Sequence, residues 1–263
     1  MNTVIGQYVP GDSWIHRLDP RTKISVVFFF IIIIFMANNA YTYGLLSIFS
    51  LYAAFLTKIH PTFILKGLKP VWFLIAFTFI LHLLVTKQGD VVFNLFGFKI
   101  YDEAIYQGVR ISIRFFLLIL MTSLLTLTTT PIEITDAIES MLRPLKKIKF
   151  PVHELALMMS ISLRFIPTLM QEAEKISHAQ ASRGVDLASG PFRERLRAVV
   201  PLLIPLFVSA FKRAEELAMA MEARGYRGGE GRTSLRELVL KRNDYLSMLS
   251  LVILFIALLI LRK

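Results

Sequence analysis

Cysteine is absent from the 263 residues, and Asp and Glu are absent from the long apolar runs of the sequence. Without thiols the chain has neither a disulfide framework nor a thiolate nucleophile. Without carboxylates in those runs, it lacks the groups that proton- or sodium-coupled carriers usually place inside the membrane. These absences disfavour a disulfide-rich secreted domain and a carrier that powers itself.

Nucleotide- and metal-binding motifs are missing as well. The phosphate-binding pattern G-x-x-x-x-G-K-[ST] does not occur, and the nearest stretch, GGEGRTS at 228–234, lacks its spacing and its lysine. A flexible loop after a helix accounts for that stretch. The five histidines are dispersed and form no H-E-x-x-H pattern. We therefore expect no metal site, no bound cofactor and no catalytic activity in this chain.

Apolar and basic residues dominate the composition. Hydrophobic residues make up 55% of the chain, the mean hydropathy is +0.59, and Lys and Arg outnumber Asp and Glu by 30 to 19. An ordinary soluble domain has about 45–50% apolar residues even with glycine counted. Nucleic-acid binding could explain the charge, but the apolar runs leave no soluble basic domain. The composition predicts a bacterial-type inner membrane protein with cationic cytoplasmic faces and no nucleic-acid partner.

Five apolar runs predict an all-α integral membrane protein with about five transmembrane helices. A full span needs about 20 residues, with a range of about 17–25, so the first three runs need flanking residues to cross. Asn38 and Asn39 break the chain between the first two runs, which indicates a helical hairpin. The runs are Ile24–Ala37, Tyr43–Leu56, Val71–Val85, Ile111–Thr129 and Tyr245–Leu261.

The distribution of Lys and Arg predicts the orientation. Basic residues precede the first run and lie between the second and third, whereas 38–42 is uncharged and 86–110 balances its charges. Cytoplasmic loops carry the excess of Lys and Arg, so the N-terminus is expected in the cytoplasm. The sequence thus predicts a multi-pass protein of the bacterial cell (inner) membrane in three parts. These are a membrane domain at 1–130, a basic cytoplasmic domain at 131–242 and a final transmembrane helix at 243–263.

The cytoplasmic segment predicts three helices. The first follows Thr130, a good N-cap residue, with Pro131 at the first helical position and Glu133 in the first turn. The second runs from about Val152 to Arg183, which is roughly 45 Å. The third runs from about Phe192 to Arg224. Each long helix is apolar in its first half and amphipathic in its second half.

The ends of these two long helices repeat one another. Shifted by 41 residues, EAEKISHAQASRG at 172–184 aligns with RAEELAMAMEARG at 213–225, and both end in Arg-Gly. A glycine after a helix can adopt the left-handed conformation that caps it, and an arginine in the last turn interacts favourably with the helix dipole. One such end therefore indicates little beyond the capping of a helix. Two copies in register favour a function, in which each arginine projects into a partner site of carboxylates and carbonyls.

Two further arginines lie four residues apart at the start of the fourth run. Arg110 and Arg114 either line a small polar surface or extend their guanidinium groups toward the lipid headgroups, and the second interpretation is favoured.

The sequence resembles the transmembrane T component of energy-coupling factor transporters, a family that includes the cobalt-dedicated CbiQ proteins. The resemblance covers essentially the whole chain and includes PGDSWIHRLDPRTK at 10–23 and ANNAYTYG at 37–44. The family carries two Ala-Arg-Gly motifs at the ends of its long coupling helices. The second matches as Ala223, Arg224 and Gly225, and the first reads Ser182, Arg183 and Gly184. The serine in place of alanine is a mild departure, because the side chain stays small.

The resemblance implies a coupling subunit that is neither the ATPase nor the substrate binder. Two ABC ATPase subunits, expected as a heterodimer that carries ATP and magnesium, would dock on the two Arg-Gly motifs. A membrane-embedded S component would bind the vitamin or metal and lie against the membrane helices and the apolar halves of the coupling helices. The residues that represent this platform for the S component are Leu155, Met159, Phe165, Leu203, Leu206 and Phe207.

The two long helices are also expected to cross. Ala214 and Ala218 form a small-x-x-x-small pair that permits close helix approach, so the crossing is predicted there. Pro167, Pro201 and Pro205 are expected to kink the helices.

Two other classes stay open at this point. An ordinary ABC permease would form its own substrate pathway with one coupling loop in each chain, whereas this chain has two matched ends. An intramembrane enzyme is disfavoured because no catalytic constellation is visible. The sequence does not identify the transported substrate.

Overall fold

A computed structural model describes residues 8–95, 98–184, 192–228 and 238–262. The chain divides into two compact units. The first comprises Met1–Ala137 and Glu237–Lys263, and the second comprises Ile138–Arg236. Each unit is described by itself below.

Helices make up most of both units. The five predicted apolar runs coincide with five helices of the first unit, although the first and fourth runs extend two residues and one residue past the helix end. These helices are α1 (Pro20–Phe35), α2 (Ala40–Leu56), α3 (Pro61–Val85), α4 (Asp102–Thr128) and α8 (Arg242–Leu261). Helix α5 (Pro131–Leu142) begins in the first unit and ends in the second. The second unit continues with a 3₁₀ helix (Arg143–Ile148), α6 (Val152–Ser182) and α7 (Phe192–Ala223).

The core of the first unit lies where α1, α2, α4 and α8 meet. Phe30, Ile34, Leu46 and Leu258 are fully buried there, and Leu117 of α4 is 1% exposed. Apolar side chains gain little from leaving lipid for protein, so close packing rather than transfer from water stabilises such a core. The opposite faces of the same helices carry exposed Phe, Ile and Leu, as a lipid-facing surface requires.

The fold class predicted from the sequence, an all-α membrane protein, is confirmed. Within the described residues, α4, α6 and α8 are long and apolar enough to cross a membrane, and α3 joins them if its two parts, bent by 53°, form one span. Helix α2 has 17 residues, the lower limit of what a span needs, and α1 has 16, one residue below it. The assignment of α6 to the cytoplasm, the number of spans and the three-part division stay predictions.

A short β-hairpin precedes α4 and was not predicted. Strand β1 (Val91–Leu95) pairs antiparallel with β2 (Phe98–Tyr101). The Asp102 carboxylate accepts a hydrogen bond from the Asp90 N–H at 3.0 Å, and the Asp102 N–H donates to the Asp90 carbonyl at 3.0 Å. These two bonds close the hairpin directly onto the first turn of α4.

Candidate functional site

Helix α6 ends in a glycine cap. Arg183 is the C-cap, and Gly184 follows with φ +83° and donates its N–H to the Ala181 carbonyl at 2.9 Å. A positive φ is costly for residues with a Cβ atom, so this position favours glycine even though open space surrounds it.

Helix α7 ends in the same way. Gly225 has φ +76° and donates to the Glu222 carbonyl at 2.8 Å, while the Tyr226 N–H donates to the Met221 carbonyl at 3.0 Å. This pair of bonds is the Schellman motif, which satisfies the last carbonyls of a helix. The cap interpretation of the two glycines is therefore correct as local structure.

The two arginines make no comparable contact within the described residues. Arg183 and Arg224 are exposed, and in the described part of the chain neither guanidinium group has a hydrogen-bond or ion-pair partner. The neighbours Ser182 and Ala223 have small side chains and are themselves exposed. We call 182–184 and 223–225 the Arg-Gly tips. Each presents five donors that no described residue uses.

Helices α6 and α7 cross, as the sequence predicted. The Glu172 carboxylate of α6 accepts hydrogen bonds from the Ser209 hydroxyl and from the Arg213 guanidinium of α7, the latter at 2.8 Å. The Gln180 amide donates to the Pro201 carbonyl at 3.3 Å. That carbonyl would normally accept from the residue four positions later, but this residue is Pro205, which has no N–H. Gln180 thus satisfies a carbonyl that α7 cannot pair internally.

These contacts fix the relative direction of the two helices. Glu172 meets Arg213 while Gln180, farther along α6, meets the earlier residue Pro201, so the helices run antiparallel through the crossing. At 1.5 Å per residue, Arg183 lies about 16 Å beyond Glu172, and Arg224 lies about 22 Å beyond Ser209. Because these distances run in opposite directions, the Arg-Gly tips lie on opposite sides of the crossing.

The predicted position of the crossing is wrong. Ala214 and Ala218 are exposed, and the polar contacts between the helices lie before them in α7, at Pro201, Ser209 and Arg213. A carboxylate that reaches two donors, rather than a close approach of small residues, decides where these helices meet. The local sequence offered only the alanine spacing, because Glu172 and Arg213 lie 41 residues apart.

The six residues of the predicted S-component platform differ in how exposed they are: three are exposed and three are half-buried. Met159, Leu203 and Phe207 are 40%, 40% and 59% exposed, so these large apolar side chains lie open on the second unit. The other three, Leu155, Phe165 and Leu206, are half-buried. Neighbouring Ile204, Val208 and Phe211 extend the exposed surface of α7. Apolar exposure on this scale is typical of a surface that lipid or another protein covers.

A buried polar cluster in the first unit was missed by the sequence reasoning. Asp244, 1% exposed, accepts from the Asp19 N–H at 2.8 Å and from the Lys241 N–H at 2.7 Å. One carboxylate therefore joins the start of α1 to the start of α8, across 225 residues. The only signal was the position of Asp244 in the first turn of a predicted helix, where acidic residues are commonly found.

Two cations complete this cluster, which we call the polar clasp (Asp19, Arg21, Lys23 and Asp244). Arg21 donates to the Leu238 carbonyl at 2.7 Å, and Lys23 donates to the Thr128 carbonyl at 2.8 Å. Leu238 and Thr128 lie on either side of the second unit in the sequence. The stretch 10–23, quoted above for its resemblance, thus supplies three of the four residues of the clasp.

Arg110 and Arg114 both bond to protein groups, which supports the interpretation that they line a small polar surface. The Arg114 guanidinium group is half-buried, donates to the Tyr43 hydroxyl at 2.7 Å and lies 5.2 Å from the centroid of the Phe35 ring. Arg110 is 3.3 Å from Glu103 and donates to the Asn38 carbonyl at 3.4 Å. Both arginines therefore hold the turn between α1 and α2 against α4, through a hydroxyl, a carbonyl, a carboxylate and an aromatic ring.

Fold and site together define a class: a helical membrane protein whose second unit presents two matched cationic helix ends and an open apolar surface. Residues 11–235 match the model of a family described as cobalt transport protein, CbiQ. The chain therefore belongs to the CbiQ family, which confirms the resemblance seen in its sequence motifs.

Curated relatives extend the match over almost the whole chain. The chain is 59% identical to the energy-coupling factor transporter transmembrane protein EcfT of Bacillus subtilis (strain 168), over 98% of each chain. It is 57% identical to the protein of the same name from Exiguobacterium sibiricum, over 89% of each. The Lactococcus lactis subsp. cremoris protein of that name is 48% identical over 100% of this chain and 98% of its own.

Proposed function

We propose that this chain is the transmembrane coupling subunit of an energy-coupling factor importer in the bacterial cell membrane. It links ATP binding and hydrolysis by two ATPase subunits to the reorientation of a membrane-embedded, substrate-binding S component for vitamin or micronutrient uptake. The relatives are named as transmembrane components of such transporters, which supports the placement in this system. The chain itself is non-catalytic, and ATP with magnesium binds to the partner ATPases.

The observation that carries this proposal is the matched pair of Arg-Gly tips. Two exposed guanidinium groups, without partners among the described residues, lie on opposite sides of one helix crossing. A permease with a single coupling loop would need only one such end. Two tips in one chain suit two ATPase subunits, each offering a site of carboxylates and carbonyls to a planar guanidinium fork.

The crossing supplies the mechanical link in this proposal. Each tip is the end of a continuous helix, and the helices share the Glu172 carboxylate and the Gln180 bond to α7. A helix transmits displacement along its length because its backbone hydrogen bonds are closed within it. When the ATPases approach or separate, the Arg-Gly tips move with them. Because α6 and α7 are bonded at the crossing, the motion of the two tips changes the angle between these helices. The exposed apolar residues near the crossing, such as Leu203 and Phe207, carry that change to the S component.

The test replaces the tip arginines in the assembled transporter. We expect Arg183→Ala and Arg224→Ala each to lower substrate uptake at least tenfold, and the double variant to lower it to background. Arginine-to-lysine variants should recover only part of the activity, because lysine keeps the charge and loses the fork. Uptake, ATPase co-purification and ATP hydrolysis are measured on the same preparations, after normal membrane insertion has been verified.

Matched controls separate the tips from general surface charge. Arg227 is exposed three residues beyond Arg224, and Lys175 is exposed two turns before Arg183. Alanine at either control position should leave uptake within about twofold of the unmodified chain. Normal uptake by the Arg183→Ala, Arg224→Ala double variant would contradict the proposal and leave the tips as helix caps. A purified complex that contains two copies of this chain and no S component would favour the permease alternative.

A further inference from the structure

The turn between α5 and α6 combines positive charge with exposed apolar side chains. Residues 143–150 read RPLKKIKF, and their four cations, Arg143, Lys146, Lys147 and Lys149, are accompanied by no acidic residue. All eight residues are exposed. We call this segment the basic-apolar turn.

Three large apolar side chains project from the same turn. Ile148 is 71% exposed, Phe150 is 41% exposed and Leu145 is 38% exposed. The backbone holds this arrangement in place: Lys149 has φ +61°, its N–H donates to the Lys146 carbonyl at 3.0 Å, and the Phe150 N–H donates to the Leu145 carbonyl at 3.4 Å. The turn is thus hydrogen-bonded, and its apolar residues are exposed by a defined conformation.

The cations of the turn are available for binding. In the part of the chain that the structure describes, none of the four has an ion-pair or hydrogen-bond partner for its side chain. The rule that cytoplasmic loops are basic explains the presence of Lys and Arg. That rule does not explain why Ile, Phe and Leu lie exposed between the cations, because the exposure of large apolar side chains to water is unfavourable.

We propose that the basic-apolar turn binds the anionic surface of the lipid bilayer. Its lysines and arginine attract acidic headgroups, and Ile148 and Phe150 enter the boundary between headgroups and acyl chains, as in other basic segments with interspersed apolar residues. The position of the turn supports this occupant. In the sequence, Arg143 follows Ala137, the last residue of the N-terminal part of the first unit, by only six residues.

The composition of the turn favours lipid over an acidic protein surface. Three of its four cations are lysines, which act as point charges and suit a diffuse layer of headgroups, whereas paired carboxylates on a protein favour the arginine fork. The inference rests on the proposed cytoplasmic position of 131–242. It concerns neither the ATPases nor the S component, so its failure leaves the proposed coupling function untouched.

The test uses the natural absence of cysteine. The full-length chain with Ile148→Cys is labelled with the environment-sensitive fluorophore NBD and reconstituted into phosphatidylcholine vesicles, with or without about one-third phosphatidylglycerol. Quenching by lipids that carry a nitroxide on the acyl chain reports contact with the bilayer. Met219→Cys, an equally labelled position that is 56% exposed on α7, is the matched control.

We expect the Ile148 label to emit at shorter wavelength and to be quenched at least threefold more strongly in the anionic vesicles. Raising the salt from 0.1 to 0.5 M should weaken that difference, because salt screens headgroup attraction. A variant with Arg143→Gln, Lys146→Gln, Lys147→Gln and Lys149→Gln should abolish it, since each cation contributes about fivefold to binding an acidic membrane. The Met219 label should show no dependence on lipid charge.

Three results would overturn the proposal. The first is an Ile148 label that stays water-exposed in both kinds of vesicle. The second is quenching that is equal with and without anionic lipid and insensitive to salt. The third is an Ile148 label that is shielded from water only when the ATPases or an S component is added, which would assign the turn to a protein partner. The salt titration keeps all four cations of the turn, so it decides the question even if the fourfold variant inserts poorly.

Discussion

The two units of the molecule differ in what they bury. The first unit packs large apolar side chains such as Phe30, Leu46 and Leu258 to complete burial. Among the described side chains of the second unit only Val152 and Ala156 are buried, although α6 and α7 have 31 and 32 residues. The helices of the first unit therefore form a packed core, whereas α6 and α7, which are less apolar on average, form an open pair.

This difference indicates a division of roles. Close packing in the first unit gives a fixed frame, and the polar clasp ties the chain on both sides of the second unit to that frame. The second unit buries few of its described side chains, so a partner or lipid that covers its apolar surface would add to its stability. A unit of this kind is suited to change its geometry when its partners move.

The largest expected contrast comes from one leucine in each unit. Leu46→Ala should lower the free energy of unfolding by about 3 kcal/mol, because it leaves a cavity in a packed core. Leu203→Ala, at a side chain that is 40% exposed, should change it by less than about 0.5 kcal/mol. Thermal unfolding of the purified chain in detergent measures both. Equal losses for the two variants would mean that the units do not differ in packing.

The polar clasp gives the next effect in size. Asp244→Ala removes the acceptor of two backbone N–H groups and should cost about 2 kcal/mol of the free energy of unfolding. Hydrogen exchange should rise at the amides of Asp19 and Lys241. As a control, Asp12→Ala removes an exposed partner of Arg17 at 2.7 Å and should have no measurable effect. A harmless Asp244→Ala would show that the clasp does not hold the frame.

A substitution on the open surface should act on assembly rather than folding. Phe207→Asp places a charge where a partner surface is proposed, so co-purification of the S component should fall about tenfold. The unfolding temperature of the isolated chain should stay within about 2 °C, because the side chain has few internal contacts. Met219→Asp, at another exposed apolar position of α7, is the matched control. If both variants lose the S component equally, the surface near the crossing has no special role.

The smallest effects distinguish two kinds of glycine. Gly225→Ala introduces a Cβ at φ +76° and should destabilise the chain by about 1 kcal/mol, although no atom lies in its way. Gly44→Ala lies inside α2, also with open space around it, and should stabilise the chain by about 0.5 kcal/mol. Substrate uptake by the Gly225→Ala variant should fall only slightly, since Arg224 stays in place. A neutral Gly225→Ala would show that the tip does not depend on its left-handed cap.

Much of the local structure was predictable from the sequence. Apolar runs gave the helices of the first unit, and the predicted start of α5 is confirmed: the Thr130 hydroxyl accepts from the Glu133 N–H at 3.3 Å, and the Glu133 carboxylate accepts from the Thr130 N–H at 3.1 Å. Both Arg-Gly tips were found by their repeat. The stretch at 228–234 that was interpreted as a loop lies, apart from Gly228, outside the described residues.

By itself, then, the sequence determined which segments are helical, where several of them begin and end, and which two arginines terminate the long helices. Caps and apolar periodicity act between residues at most a few positions apart, so they can be recognised in one dimension. The tertiary structure alone decided the crossing at Glu172, the pairing of Arg114 with Tyr43, and the clasp that joins Asp19 to Asp244 across 225 residues. Such contacts depend on how whole helices pack, because a buried carboxylate or guanidinium takes whichever donor or acceptor the fold brings within reach.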